Sequence, residues 1–476
     1  MKLLKATLVG GGEIEFHDEP IGSGGEKVVF FAKGRKEVVC FFYKGLKDRI
    51  ERRRRIENII GKHNVTIGAN GDYWKNHFCW PTGIIDGDTS LPKDFLAQHN
   101  IIDPPLAVVA PAYRQNFFFK DTLGKTREKN GKWFTSEKPR KMLPPSEKGN
   151  FLSYLQVCTI MARATRRMHN NGLAHSDLSN KNVLIDPKNG QACLIDIDSL
   201  VIPGIAPPTV MGTPGYIAPE VLAGKGNPRI ETDRHALAVL IYETLLLRHP
   251  LRGPKVNSRS SPEEDELLSF GERALFIEHP KDASNSIKPP PIVAIHRLGP
   301  FLAELFHRAF VDGLHNSALR PTADAWERGL YRTFDIIHPS PDGKDWFILA
   351  KGLPMQCPFT RKKLSGPVPY AQFYSEKKSG EFVDDGHGLT IYHHLELMSW
   401  HTLAKTLPIE NSDRVRKGYF SFHEKHWYLT NESDNPMQVI GGKMIKKGES
   451  VEITEGLQLR ISSLPNGRLF LFEFLK

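Results

Sequence analysis

His175-Ser176-Asp177-Leu178-Ser179-Asn180-Lys181-Asn182, followed shortly by Leu194-Ile195-Asp196-Ile197-Asp198, is the stretch on which the reading of this chain turns. It supplies a carboxylate, an amide five residues later and a second carboxylate beyond a short gap. Asp177 can accept or orient the proton of an attacking hydroxyl. Asn182 and Asp196 are oxygen donors that can hold Mg²⁺ against the phosphates of ATP. Such a set points to phosphoryl transfer. The transition state there spreads negative charge over the phosphoryl oxygens, so a protein contributes mainly positioning and cations.

The residues between support this reading. Asn182-Val183-Leu184-Ile185-Asp186 reads as a strand, Pro187-Lys188-Asn189-Gly190 as a turn, and Ala192-Cys193-Leu194-Ile195 as a second strand. A hairpin of that length returns Asp196 to Asn182, where one metal can touch both. The competing reading is an ordinary hairpin rich in Asn and Asp, which are common turn residues. The length of the ordered pattern weighs against it.

The segment resembles the catalytic loop of eukaryotic-like protein kinases, and other segments resemble that family in the right order. Ile21-Gly22-Ser23-Gly24-Gly25-Glu26-Lys27-Val28-Val29 resembles a Gly-rich loop, in which Gly22, Gly24 and Gly25 would let bare backbone approach phosphate. The next strand, Glu37-Val38-Val39-Cys40-Phe41-Phe42-Tyr43-Lys44, departs from the family, since Cys40 or Phe41 stands where the phosphate-binding lysine belongs. The arrangement resembles that of the with-no-lysine kinases, which supply this lysine from the loop region, and on that resemblance Lys27 is the phosphate lysine. Lys44 remains the alternative, at the cost of a register slip that would exchange the two faces of the strand. Neither lysine serves in a third reading. For the helix glutamate that pairs with the lysine, Glu51 and Glu57 are both available, and Glu57 is preferred.

Ala107-Val108-Val109-Ala110-Pro111-Ala112-Tyr113 resembles the end of a strand and the hinge, with backbone groups near Ala110 and Ala112 facing the adenine edge. Met211-Gly212-Thr213-Pro214-Gly215-Tyr216-Ile217-Ala218-Pro219-Glu220 resembles the substrate loop and Ala-Pro-Glu motif of Ser/Thr kinases. In that family the residue at Thr213 contacts the catalytic Asp and accompanies Ser/Thr acceptors. The resemblance further pairs Glu220 with Arg320 and makes Asp233 the anchor of the catalytic-loop backbone. Ser176 replaces the arginine that precedes the catalytic Asp in kinases switched by activation-loop phosphorylation. Phosphorylated Thr209 or Thr213 would then lack its partner, so activity is expected without that switch. The wording of the catalytic loop, with Leu-Ile-Asp-Ile-Asp-Ser in place of Asp-Phe-Gly, resembles bacterial kinases encoded with tellurite-resistance-type von Willebrand and PP2C phosphatase proteins. It implies those two as partners beside protein substrates.

The expected fold is α+β: a bilobal protein kinase with an N-lobe over 1–110 and a C-lobe over 111–338, followed by an all-β, sandwich-like domain over 339–476. Strands are predicted at Glu13–His17, Val28–Ala32, Glu37–Tyr43 and Leu106–Ala110, and helices at Arg49–Ile60, from Phe151 to His169, at Asp233–Leu247 and at Leu298–Ala309. Residues 120–150 are polar and rich in Lys and Pro, which predicts an exposed insertion. After Pro339, short β-branched and aromatic runs alternate with turns. Segments Asp413–Phe420, Trp427–Pro436 and Gly448–Leu457 resemble a forkhead-associated domain, which binds phosphothreonine through loop Arg, Ser and Asn, although its usual Gly-Arg and Ser-x-x-His pairs are missing. An OB-like module, or a β domain that only packs, is the alternative.

At 476 residues, 40% hydrophobic and 25% charged, the chain is long enough for two or three domains with cores. The net charge is +10, much of it in Lys47–Arg55; because that run contains acids and no aromatics, it is read as a solvated helix face rather than a nucleic-acid surface. Five cysteines without a CxxC pair fit free thiols in a reducing compartment, and no apolar run is long enough to span a bilayer. The expected place is the cytoplasm. Two readings from other classes compete with the enzyme: a pseudokinase scaffold that binds nucleotide and recruits partners through the β domain, and a basic nucleic-acid binder.

Overall fold

The computed structural model describes residues 2–208, 212–378, 380–404 and 415–476. The chain divides into two compact units: Met1–Gly149 with Gln156–Lys288 and Phe306–Asp324, and Asn150–Leu155 with Pro289–Leu305 and Ala325–Lys476.

The first unit opens on an antiparallel sheet of β1 (Leu3–Thr7), β2 (Glu13–Ser23), β3 (Lys27–Ala32), β4 (Glu37–Phe42), β5 (Gly83–Asp86) and β6 (Leu106–Pro111), in the order β1-β2-β3-β4-β6-β5. Strand alternation decides what each face carries. In β3, Val28, Phe30 and Ala32 turn into a core built on Phe16, Phe41 and Phe95, which sends Lys27 to the opposite face. Lys27 lies across from Phe42 in β4, and Phe42 and Cys40 face helix α1 (Arg49–Ile60) through Ile56 and Ile60. Register therefore fixes where Lys27 points. Lys44 follows the end of β4 and is exposed.

Helix α2 (Phe151–His169) leads into the catalytic loop, which ends in the hairpin β7 (Val183–Asp186) and β8 (Gln191–Leu194), with Val183 opposite Leu194. Helix α3 (Ile230–Leu246) is buried along most of its length, with an apolar run from Ala236 to Ile241 and a polar first turn.

Two expectations fail in this unit. Residues 120–150 are not simply an exposed insertion. Phe134 is fully buried, Lys129 is buried between Glu147 at 2.5 Å and Asp186 at 3.2 Å, and Asn180 of the catalytic loop donates to Thr135 Oγ1 at 3.0 Å. A buried lysine is tolerable when two carboxylates compensate it, and a few aromatic anchors dock an otherwise polar segment. Nor is Lys47–Arg55 a wholly solvated face: Arg52 and Arg55 are each 1% exposed, on the inward stripe with Ile56 and Ile59.

The second unit holds two antiparallel sheets. One comprises β9 (Val368–Lys378), β10 (Glu381–Thr390), β14 (Met437–Val439), β15 (Met444–Ile445), β17 (Gln458–Arg460) and β18 (Arg468–Leu475), in the order β10-β9-β18-β17-β14-β15. The other comprises β11 (Glu396–Met398), β12 (Arg416–His423), β13 (His426–Asn431) and β16 (Ser450–Ile453), in the order β11-β12-β13-β16. Phe373, Phe470 and Phe472 from the first sheet and Phe420, Leu429 and Val451 from the second share one apolar cluster. Asp413 and Arg414 lie outside the described residues. Asn431 is buried; its amide donates to the carbonyls of Asn435 and Ile445 and its oxygen accepts from Ser433 N–H, so it braces the loop after β13.

Candidate active site

Catalytic-loop geometry is set by buried hydrogen bonds. The Asp233 carboxylate on α3 accepts from the backbone N–H of His175 at 2.6 Å and lies 3.2 Å from His169 Nε2. His175 Nε2 lies 2.9 Å from the carbonyl of Ile195, which ties the loop to the chain beyond β8. Ser176 takes a left-handed conformation, φ 63°, and its hydroxyl donates to the carbonyl of Ser199 at 3.2 Å.

Asp177 and Asn182 meet directly. Asn182 Nδ2 donates to the Asp177 carbonyl at 2.8 Å and to its Oδ2 at 2.9 Å. This consumes the amide's donors and leaves its oxygen for a cation. Asp177 Oδ1 is buried and, among the described residues, has no hydrogen-bond partner. A side chain added at Gly212 would stand 3.7 Å from that oxygen, so the glycine keeps the space beside it open. An orphaned carboxylate oxygen is costly unless a ligand completes it, as a substrate hydroxyl would. Thr213 is nearly buried and lines the same recess as Asp177, but among the described residues no hydrogen bond joins the two.

Asp196 sits at φ 61°, a strained region for a residue with a side chain, and such strain concentrates at functional sites. Lys27 reaches it: Nζ donates to Asp196 Oδ1 at 2.6 Å and to Asp198 Oδ1 at 2.7 Å. The Lys27 ammonium, together with its hydrogen bond, holds the Asp196 carboxyl down at about 2 against the opposing effect of burial. Burial works against the Lys27 charge as well, yet the two carboxylates outweigh it and keep the ammonium protonated. Burial pushes Asp198 up, with Lys27 opposing. Cys40, at the position where a lysine was expected, is raised by burial to about 12 and stays a neutral thiol. Of the two candidate lysines, Lys27 is therefore the one that meets Asp196.

The glutamate expected from α1 does not meet that lysine. Glu57 pairs instead with Arg53 at 3.0 Å, on a half-exposed flank, and Glu51 is exposed. The inward positions are taken by Arg52 and Arg55. Arg52 donates to Glu26 at 2.9 Å and lies 3.4 Å from Asp48.

Glu26 belongs to the turn between β2 and β3, closed by Gly24 N–H to the carbonyl of Lys27 at 2.8 Å. Neither backbone angle nor crowding demands glycine here. None of Gly22, Gly24 and Gly25 has a positive φ; a Cβ at Gly22 or Gly25 would meet nothing within 4 Å, and one at Gly24 only the Lys27 carbonyl at 3.9 Å. The space beside all three is open. With an Asn oxygen and a carboxylate as donors, the site suits a hard cation such as Mg²⁺. At the hinge, Ala110 lies opposite Val38, and the Ala112 N–H already donates to the Lys36 carbonyl at 2.9 Å. An adenine edge would have to displace that bond or use another group. Beside the hinge lies an apolar cavity of about 590 Å³ lined by Ala112, Tyr113, Cys79, Phe117, Leu184 and Cys193. Ala110 is not among its walls.

The segment before α3 is pinned twice. Arg320 grips Glu220 through both oxygens, at 2.8 and 2.7 Å, and also donates to the carbonyls of Gly313, Leu314 and Glu231. The Tyr216 hydroxyl donates to buried Glu243 of α3. Thr209 lies outside the described residues. Asp198, Arg52 and the docked insertion went unassigned in the sequence. The stripe Arg52, Arg55, Ile56, Ile59 carried a signal for the second, because two arginines continue an apolar face.

Comparison with known proteins matches residues 138–291 to the protein kinase domain. The matched stretch holds Asp177, Asn182, Asp196 and Thr213, and the segment with Lys27 precedes it. Over 164 residues the chain is 30% identical to the serine/threonine-protein kinase PknD of Chlamydia felis, covering 28% of this chain and 16% of that protein. Over 123 residues it is 28% identical to the probable serine/threonine-protein kinase PLK of Dictyostelium discoideum, covering 24% and 12%. Over 102 residues it is 37% identical to the atypical protein kinase C of Drosophila melanogaster, covering 20% and 16%. The chain spans less than a fifth of the length of these curated relatives. It carries a protein kinase domain similar to those of Ser/Thr kinases. No helix among the described residues is long and apolar enough to cross a membrane.

Proposed function

We propose that the chain is a Ser/Thr protein kinase that transfers the γ-phosphoryl group of ATP to a hydroxyl of a protein substrate, itself included. The observations that carry this are the Asn182–Asp177 and Lys27–Asp196 contacts, tied together by the Ile195 N–H donating to the Asn182 carbonyl at 3.0 Å, with Asp177 Oδ1 unpaired among the described residues. When bound, Mg²⁺ would neutralise the negative charge that develops on the phosphoryl group. Asn182 and Asp196 would hold it. Lys27 steadies the phosphates from the floor of the Gly-rich turn. Asp177 Oδ1 accepts the proton of the substrate hydroxyl as its oxygen bonds to the γ-phosphorus and the bond to the bridging oxygen of ADP breaks. Glu220, Arg320 and Asp233 fix the backbone that carries these groups, and positional precision of this kind is worth about a hundredfold in rate per ångström. On this reading the N-lobe occupies 1–110, the C-lobe 111–338, and the adenine ring enters beside Leu184.

The test is incorporation of γ-phosphate from ATP with Mg²⁺ into the protein itself and into a generic basic substrate. Asp177→Ala should lower it by at least a hundredfold. Equal incorporation by wild type and Asp177→Ala would refute the assignment. ATP binding without any transfer would favour the pseudokinase reading.

We further propose that 339–476 is a sandwich-like interaction module. Lys417, Ser433 and Asn435 line a cavity of about 180 Å³ there, which supports a polar ligand of the kind forkhead-associated domains bind. The loop wording favours a PP2C-type phosphatase and a von Willebrand-type protein as partners of a cytoplasmic, tellurite-resistance-type system. Binding of either that survives loss of residues 339–476 would remove that role from the module.

A further inference from the structure

Lys27 has two carboxylate partners that differ in kind. Asp196 is 40% exposed, whereas Asp198 is 4% exposed. Asp198 Oδ2 is buried and among the described residues has no hydrogen-bond partner, so the Lys27 contact is the ion pair of an almost fully buried carboxylate. Helix α1 packs against Ile197–Ser199 and turns arginines inward. Arg52 stands 5.3 Å from the centre of the Phe42 ring, and Lys27 Nζ stands 5.6 Å from the same centre. One aromatic platform thus carries both cations, of which Lys27 holds Asp198.

We infer that Asp198 is the positioning carboxylate for Lys27, doing what a glutamate on α1 would otherwise do, with Arg52 as its counter-charge on the helix; this rests on the kinase reading. When Asp196 is committed to a cation, Lys27 loses one oxygen and keeps Asp198, so its ammonium stays in reach of phosphate. The polarity is inverted relative to a lysine–glutamate pair between strand and helix. Here the acid follows β8 and the base sits on the helix. Burial acts against the Arg52 charge, and Asp198, ahead of Glu26 and Asp48, offsets it, which agrees with a shared field. Glu26 extends the chain of contacts to the Gly-rich turn, so one arginine joins helix, turn and carboxylate.

A double-mutant cycle on the full chain tests this, using Asp198→Asn, Lys27→Met and the pair, read as KM for ATP, kcat and MgATP binding. A positioning role predicts a ten- to hundredfold loss of kcat/KM in Asp198→Asn, mostly in KM, from hydrogen bonds to a charged group. It predicts almost no further loss when Asp198→Asn is added to Lys27→Met. A role confined to packing would lower stability and subtract from activity equally in both backgrounds, and such additivity would overturn the inference while leaving the kinase reading intact. If Asp198→Asn does not fold, Arg52→Gln replaces it, with a several-fold rise in KM that vanishes in the Lys27→Met background. If wild type transfers no phosphate but binds MgATP, the kinase reading fails alone and the cycle is read on binding. Loss of both in wild type overturns both.

Discussion

Glu243 offers a quantitative test of how the activation segment is held. It lies on α3, is 8% exposed, and receives the Tyr216 hydroxyl. Burial raises its carboxyl to about 7, while the Tyr216 hydrogen bond and the Arg252 charge pull the other way. In the unfolded chain the group titrates near its ordinary value of 4.5. Between these two pH values the folded state binds the extra proton, so stability falls as pH rises through the window. Below about 4.5 both states are protonated and the carboxyl costs nothing; above about 7 the full cost of burying the charge is present. A window of about 2.5 pH units at roughly 1.36 kcal/mol each gives about 3 kcal/mol. Glu243→Gln removes this proton. The measurement is urea unfolding of wild type and Glu243→Gln from pH 5 to 8, taken as a difference so that other titrations cancel. Wild type should lose about 2.5 kcal/mol relative to the variant across that range, the rest of the window lying below pH 5. Tyr216→Phe deletes the donor that favours the charged form, so its midpoint should move to higher pH. A flat difference curve, or one that rises with pH, would refute the account of Glu243 as a buried, reluctantly ionised acid.

Two further outcomes follow from the same geometry. Lys27→Ala should reduce kcat/KM for ATP by about a hundredfold or more, whereas Lys44→Ala should stay within about twofold, because one ammonium reaches Asp196 and the other is exposed beyond β4; steady-state kinetics of the two variants decide, and full activity in Lys27→Ala would return the role to another group. Because Ser176 supplies no guanidinium to a phosphorylated activation segment, protein treated with a phosphatase should phosphorylate a basic substrate as fast as untreated protein, and an activity lost on dephosphorylation and regained with ATP would contradict this.

The sequence carried the local geometry well and the long-range charge partners poorly. Alternation in Lys27-Val28-Val29-Phe30-Phe31-Ala32 put Lys27 on the face opposite the Phe30 core, and the length of the β7–β8 hairpin brought Asp196 back to the Asn182 end. Both follow from period and turn length, which are local. The partner of α1 could not be read that way. Its arginines and glutamates alternate closely enough that several faces look equally polar, and the groups that meet Arg52 and Arg55 in the interior, Glu26 in the turn before β3, Asp48 and the Ala206 carbonyl, lie off the helix. The segment 120–150 misled for a similar reason, since Lys129 reads as a surface residue until Glu147 and Asp186 are brought to it. Its buried aromatic anchor, Phe134, was visible but could not outweigh the polar composition.

Where a phosphate lysine is held by a glutamate on a mobile helix, helix position controls activity, because moving the helix breaks the pair. Both carboxylates that hold Lys27 lie two residues apart on the segment after β8, so a displacement of α1 would take Arg52 away and leave Lys27 with its oxygens. The helix then acts on the lysine only through the field at Asp198 and through Glu26 at the turn. On the proposed roles such a coupling would grade affinity for nucleotide rather than switch the site on and off. It agrees with the absence of an arginine before Asp177: the two devices by which an activation segment usually commands the site, a helix-borne acid and a phosphate-reading base, have Asp198 and Ser176 in their places in this proposal.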